Sequence, residues 1–148
     1  MSSAIIFIHG LWMNGKDMYL LRYRFKKIGY KTFQFKYNST KQTPVENAHL
    51  LSEYIDSVKH EKINFVCHSL GGIVLRHYLS LYSTNNIGNI IMLGTPNKTS
   101  AVARKIVNLP LGKKLLGKSV ENGLTGILPK WNNNEKLGII AGRVPFAS

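Results

Sequence analysis

The run Phe65-Val66-Cys67-His68-Ser69-Leu70-Gly71-Gly72 sets a serine hydroxyl between an apolar segment and a pair of glycines. A buried strand that runs into a serine and straight on into a helix is the strand–turn–helix context of a nucleophile elbow, G-x-S-x-G. The chemistry such a turn serves is nucleophilic attack. The helix that follows offers free backbone N–H groups and a positive dipole end beneath the serine oxygen. A turn this tight brings neighbouring chain close, so small residues are needed around the serine, and Gly71 and Gly72 meet that need after it. Cys67 stands where the first glycine is usual. The competing role for Ser69 is a plain helix cap. The combination of strand, serine, two glycines and helix favours the elbow.

A second constellation, Phe7-Ile8-His9-Gly10-Leu11-Trp12, closes an apolar run near the N-terminus. In this architecture the loop after that strand supplies a second oxyanion donor. Gly10 allows a sharp turn, and the backbone N–H of Leu11 would pair with that of Leu70 on a tetrahedral oxyanion. His9 and His68 support these motifs. A third pattern, Gly112-Lys113-Lys114-Leu115-Leu116-Gly117-Lys118-Ser119, matches the phosphate-binding G-x-x-x-x-G-K-[ST]. Its context is wrong: Asn108-Leu109-Pro110 precedes it instead of a buried strand, and no Asp follows Asp56 to hold Mg²⁺. The remaining histidines read as structural. His68 is expected to turn away from the serine, and His77 to lie two helical turns beyond it. His49 and His60 accompany the second helix. No set has metal-ligand spacing, so neither metal nor cofactor is expected.

The elements that must position these residues alternate. Ala4–Ile8 is continuously apolar, as a strand buried on both faces should be. Lys16–Ile28 has helical spacing at Met18, Leu21, Phe25 and Ile28, closed by Gly29. Tyr30–Tyr37 alternates as a second strand. Thr43, Pro44 and Glu46 spell an N-cap, a first-turn proline and a capping box for the next helix. Lys62–Cys67 is the third strand and Leu70–Tyr82 the helix after the serine. Asn85-Asn86 and Gly88 end that helix, Asn89–Leu93 is a fourth strand and Lys136–Ala141 a fifth. Between them Ala101–Asn108 reads as helix, and glycines and prolines punctuate the rest. Strands alternating with helices predict a single α/β domain over 1–148: three layers, α/β/α, around a mainly parallel sheet. Ligands of such sheets bind at the carboxyl ends of the strands, where both motifs fall.

The segments IFIHGLW, NFVCHSLGGIVLRHY and IIMLGTPNKTS resemble the α/β-hydrolase fold, and more narrowly bacterial lipase-like and esterase-like serine hydrolases. The likeness runs over about residues 4–100, with Lys136–Gly142 similar to the seventh strand of that fold. It implies the spatial strand order 4-3-5-6-7 in family numbering, a Ser–His–Asp mechanism on a small, lipophilic carboxylic ester, and a lid or cap over about residues 100–130. In that family the acid follows strand 6 or 7 and the histidine follows strand 8. Here Thr95-Pro96-Asn97 follows the fourth strand, Gly142–Ser148 follows the fifth, and the only histidine after Ser69 is His77. The triad acid and histidine are therefore unassigned, and the fold is expected to be C-terminally shortened. The competing reading is an inactive hydrolase-like chain that binds lipid or a partner. A nucleotide-binding P-loop protein ranks third.

Composition limits the rest. Apolar residues make up 44% of 148, enough for a core, and no apolar run approaches the ~18 residues of a membrane-spanning helix. The short apolar start lacks a basic flank, so no signal peptide is expected and the location reads as cytoplasmic. The single cysteine, Cys67, precludes an internal disulfide. Twenty Lys and Arg stand against seven Asp and Glu, a net charge of +13, and nine of those cations with only two acids fall from Lys98 onward. Such a surplus favours anionic surfaces such as phospholipid headgroups or nucleic acid, and of these peripheral contact with an anionic membrane surface is the expected one; the competing reading is a solvated basic surface that keeps the protein soluble. Nucleic acid is not an expected partner.

Overall fold

The computed structural model describes residues 3–82, 85–96, 104, 107–120, 123–124, 128–130 and 136–142. Among these residues five strands, β1 (Ser3–Ile8), β2 (Lys31–Phe35), β3 (Lys62–His68), β4 (Ile87–Leu93) and β5 (Leu137–Ile140), pair in the order β2-β1-β3-β4-β5. All four pairings are parallel. This is the 4-3-5-6-7 order of the α/β-hydrolase sheet, with β1 standing as its third strand.

Helices cover both faces because β1 and β3 are apolar on both. Ala4, Ile6, Ile8, Phe65, Cys67, Ile90 and Met92 pack with α2 (Pro44–Ser57) and α3 (Leu70–Leu81). Ile5, Phe7 and Val66 turn the other way, toward Met18 and the side chains of Leu21 and Phe25 on α1 (Tyr19–Lys27). The expected three layers are present. Burying a side chain such as Ile6 or Phe65 contributes roughly 1.5–3 kcal/mol, so the central strands are the fixed frame on which the loops at their carboxyl ends are built.

Several boundaries differ from the sequence expectation, each for a local reason. The first helix begins at Tyr19 instead of Lys16. Asn14 and Asp17 accept backbone N–H groups of Lys16 and Gly15, both at 3.1 Å, and hold a turn where a helix would start. β2 stops at Phe35, because Tyr37 is drawn away to bond His9. β4 begins at Ile87, so Gly88 lies within a strand. The β3–β4 register shifts between Ile63 and Phe65, and the Asn64 side chain fills the irregularity by accepting the Asn89 N–H at 2.8 Å. The capping box of α2 is formed: Glu46 N–H donates to Thr43 Oγ1 at 3.1 Å, and Thr43 N–H donates to Glu46 Oε2 at 2.7 Å. Among the described residues β5 stands at the edge of the sheet, with Ile139 and Ile140 exposed. The helix expected over Ala101–Asn108 lies mostly outside the described residues. So do Asn97 and everything after Gly142.

Candidate active site

Ser69 sits where β3 ends and α3 begins, with φ 49° and ψ −118°. A non-glycine residue with positive φ outside the left-handed helical well carries strain of about 1–3 kcal/mol and persists only where its surroundings enforce it. The enforcement is visible. Ser69 N–H donates to Leu93 O at 2.9 Å, at the end of β4, and Ser69 O accepts from Gly72 N–H and Thr95 Oγ1, each at 3.1 Å. The side chain makes no capping hydrogen bond. A plain cap would show one, so the half-buried hydroxyl is displayed instead of being used to start the helix.

Close approach explains the glycine after Leu70. A Cβ on Gly71 would stand 2.5 Å from Ile8 O and 2.6 Å from His9 O, so α3 can lie against the end of β1 only because that atom is missing. Gly72 meets the side chain of Thr95 in the same way. Thr95 is buried and thus serves the elbow twice, by packing and by bonding the Ser69 carbonyl. Sequence reading passed over this role. The available signal was a small hydroxyl residue immediately after β4.

The loop after β1 closes over the serine. A Cβ on Gly10 would lie 3.2 Å from Ser69 Cβ and 2.9 Å from His68 Nδ1, so the bare glycine lets this loop touch the elbow. The loop is locked from below by His9, which is fully buried. Its Nδ1–H donates to Gly10 O at 2.9 Å, its Nε2 accepts Tyr37 N–H at 3.4 Å, and its ring stacks on Tyr37 with centroids 4.3 Å apart. Tyr37 OH donates back to His9 O at 2.8 Å. Burial pushes the His9 imidazole below its ordinary value, against the opposing pull of the Gly10 bond and the Asp17 charge, so the neutral ring is favoured. Trp12, at φ 59°, donates its backbone N–H to Ser39 Oγ at 3.0 Å and its indole N–H to Leu115 O at 2.9 Å. Between these anchors, among the described residues, the N–H of Leu11 has no acceptor. Leu70 opens α3, where N–H groups lack intrahelical acceptors. Two donors beside a displayed hydroxyl can stabilise an oxyanion formed on a carbon that the hydroxyl attacks.

The histidines divide. His68 does not turn away from the serine as expected. Its ring faces the Gly10 loop, with Nδ1 3.2 Å from Met13 Sδ. Both nitrogens of His9 are engaged. His49 Nδ1 bonds Tyr82 OH at 2.6 Å, His60 lies edge-on to Phe33, and His77 is buried about 10 Å along α3 from its start. Among the described residues none is bonded to Ser69, and no carboxylate completes a relay.

The G-x-x-x-x-G-K-[ST] pattern is not a P-loop. Gly112–Leu116 is a short helix, α4, entered from a turn instead of a strand, and Gly117–Val120 is a 3₁₀ turn. Ser119 is buried, its hydroxyl donating to Leu116 O. α4 belongs to a small apolar cluster in which Leu116 and Leu124 pack on Leu70, Ile73 and Leu11, directly at the elbow. An open groove of about 660 Å³ runs beside the same loop, past Trp12, Met13, Tyr37 and Ser39. A cavity of about 270 Å³ lies at the opposite ends of the strands, among Ile5, Phe25, Asn64 and Ile91, too far to serve Ser69.

The sequence profile of a family described as Putative serine esterase (DUF676) matches residues 2–105, which include both the Leu11 loop and the Ser69 elbow. Among solved structures, the Bacillus licheniformis lipase BlEst2 in mature form is similar with a TM-score of 0.62 at 21% identity, over 79% of this chain and 52% of that one. Phospholipase PlaB from Legionella pneumophila is similar with a TM-score of 0.59 at 23% identity, over 83% of this chain and 31% of that one. The chain thus spans about half the length of the first and a third of the second. At these identities the likeness establishes a shared fold. Comparison with curated proteins finds no match.

Two outcomes follow from the site's packing. Gly71→Ala should cost about 1–3 kcal/mol by overpacking against the Ile8 and His9 carbonyls, read as a lower urea midpoint. An unchanged midpoint would show that α3 does not rest on β1. The second concerns His9. Its folded form resists protonation, whereas an unfolded histidine binds a proton near ~6.5, so stability should fall as pH drops through that value. Urea titrations on either side of it should show this fall, and His9→Asn should make it shallower.

Proposed function

This chain belongs to the Putative serine esterase (DUF676) family, and we propose that it works on carboxylic esters, with Ser69 as nucleophile and the N–H groups of Leu11 and Leu70 as oxyanion donors. The observation that carries the proposal is the Ser69 backbone, strained at positive φ while its hydroxyl is spent on no cap. In the reaction Ser69 Oγ adds to the ester carbonyl and its proton passes, through water, to the alcohol that leaves. The carbonyl oxygen takes up the negative charge between the two N–H groups. Collapse expels the alcohol and leaves an acyl serine, which water then cleaves. The apolar cluster of Leu11, Leu70, Ile73 and Leu124 beside the elbow favours a lipophilic acyl group. The lipase and phospholipase neighbours support the same substrate class.

The described residues bring no base to Ser69, and this favours a second reading, a hydrolase-like chain that binds lipid without turning it over. Activity and binding part at the serine. A serine without its triad partners retains an acceleration of ~10³–10⁴-fold over water from oxyanion hole and binding. A fluorophosphonate probe should therefore label Ser69 slowly and leave Ser69→Ala untouched. Hydrolysis of p-nitrophenyl esters by the 148-residue chain should fall well below the roughly 1–10³ s⁻¹ of ordinary enzymes. Labelling confined to other residues would favour the binding reading. Ordinary turnover abolished by Ser69→Ala would mean that a base reaches the serine after all.

A further inference from the structure

The mouth of the site carries an exposed apolar face. Trp12, Leu109, Leu111 and Leu115 are 57%, 60%, 77% and 56% exposed, and what distinguishes them from other exposed apolar side chains is that they are gathered in one place. They are held together. Leu115 N–H donates to Leu111 O at 3.0 Å, so Leu115 lies one turn along α4 from Leu111, the residue that caps its start. Gly112 and Leu116 are buried, and Leu116 packs on Leu70 and Ile73 at the elbow. The Trp12 indole N–H, bonded to Leu115 O at 2.9 Å, fastens the tryptophan to this helix. Lys113 and Lys114 sit exposed between the leucines, and Arg104 and Lys118 are exposed on the same segment. Only one acid, Glu121, occurs anywhere from Lys98 to Lys130.

Apolar side chains with an indole among them, interleaved with unopposed cations, are the composition of a surface that enters a lipid interface: leucines below the headgroups, the indole at their level, ammonium groups on the phosphates. A protein partner that covered leucines would not need this one-signed charge, whereas an anionic bilayer does. We propose that Trp12, Leu109, Leu111 and Leu115, with Lys113 and Lys114, form a docking face that seats the protein on anionic phospholipid bilayers with its Ser69 side toward the lipid. The proposal names the source of the ester that the proposed function requires, and in that sense rests on it. The docking itself needs no catalysis. Because Trp12 follows Leu11, the face is also continuous with the oxyanion loop.

The test uses the full chain as a Ser69→Ala variant, so that its outcome is independent of ester cleavage. Trp131→Phe leaves Trp12 as the only indole, since the sequence has two tryptophans. Vesicles of phosphatidylcholine alone, and of phosphatidylcholine mixed with phosphatidylglycerol, are added while Trp12 emission and co-sedimentation are followed. Anionic vesicles should pellet the protein and move Trp12 emission to shorter wavelength, and salt should weaken the binding as the Debye length shrinks from ~10 Å at 0.1 M to ~3 Å at 1 M. Leu111→Ser with Leu115→Ser, both at exposed positions, should leave the circular dichroism unchanged and weaken binding about tenfold or more. Lys113→Ser with Lys114→Ser should erase the preference for anionic vesicles. Sedimentation with no change at Trp12, or full binding by the leucine variant, would mean contact through general charge and would overturn the docking face. Equal affinity for both vesicle types, or a leucine variant that changes self-association instead of lipid binding, would overturn it too.

Discussion

A single backbone conformation organises this molecule. Ser69 is held at positive φ, a geometry that an L-residue leaves unless something prevents it. Three supports come from two strands. β3 delivers the residue, the end of β4 takes its N–H through Leu93, and the loop after β4 grips its carbonyl through Thr95. The fourth support is steric: α3 leans on the carbonyls of Ile8 and His9 at the end of β1, an approach open only to glycine at position 71. The sheet order follows from the same need. β1 and β4 must flank β3 for their ends to meet around the serine, and parallel pairing puts all three carboxyl ends on one side.

Around that point the burial is divided between two purposes. On the α2–α3 side the core is large and mostly apolar, and it fixes the sheet. At the carboxyl ends, polar groups are buried with partners: His9 between Gly10 and Tyr37, Ser39 under Trp12, Thr95 under Ser69. A buried polar group that is fully bonded specifies a loop shape, whereas one left unbonded would destabilise it. His9 illustrates the distinction. In a serine hydrolase a histidine near the nucleophile invites assignment as the base. Here both ring nitrogens are occupied by backbone groups, and desolvation favours the neutral ring, so the residue fixes the loop and cannot relay protons.

Much of this was legible in the sequence where a short local pattern determines the outcome. Ala4–Ile8 and Lys62–Cys67 read as doubly buried strands because both of their faces are apolar. Thr43, Pro44 and Glu46 announced a helix start because capping is a three-residue affair. The serine elbow was legible for the same reason. What the sequence hid depends on contacts between distant segments. Gly88 looked like a breaker because the Asn64 side chain that accommodates it is 24 positions away. Tyr37 read as the end of a strand because nothing local shows its bonds to His9. Thr95 looked like loop, and His68 was expected to face the other way, since the Gly10 loop that receives its ring comes from β1. The P-loop pattern is the converse case: the residue types match, but the missing strand before Gly112 already spoke against it, and α4 is indeed entered from a turn.

The central claim is that the strained serine and the two backbone donors form one oxyanion site. The most direct measurement is a crystal structure of the Ser69 adduct with a short alkyl fluorophosphonate, read at the phosphoryl oxygen. The account predicts that this oxygen lies about 2.7–3.1 Å from both the Leu11 and the Leu70 nitrogens, with Ser69 still at positive φ. A phosphoryl oxygen pointing to solvent, or a Leu11 N–H turned away from it, would contradict the account.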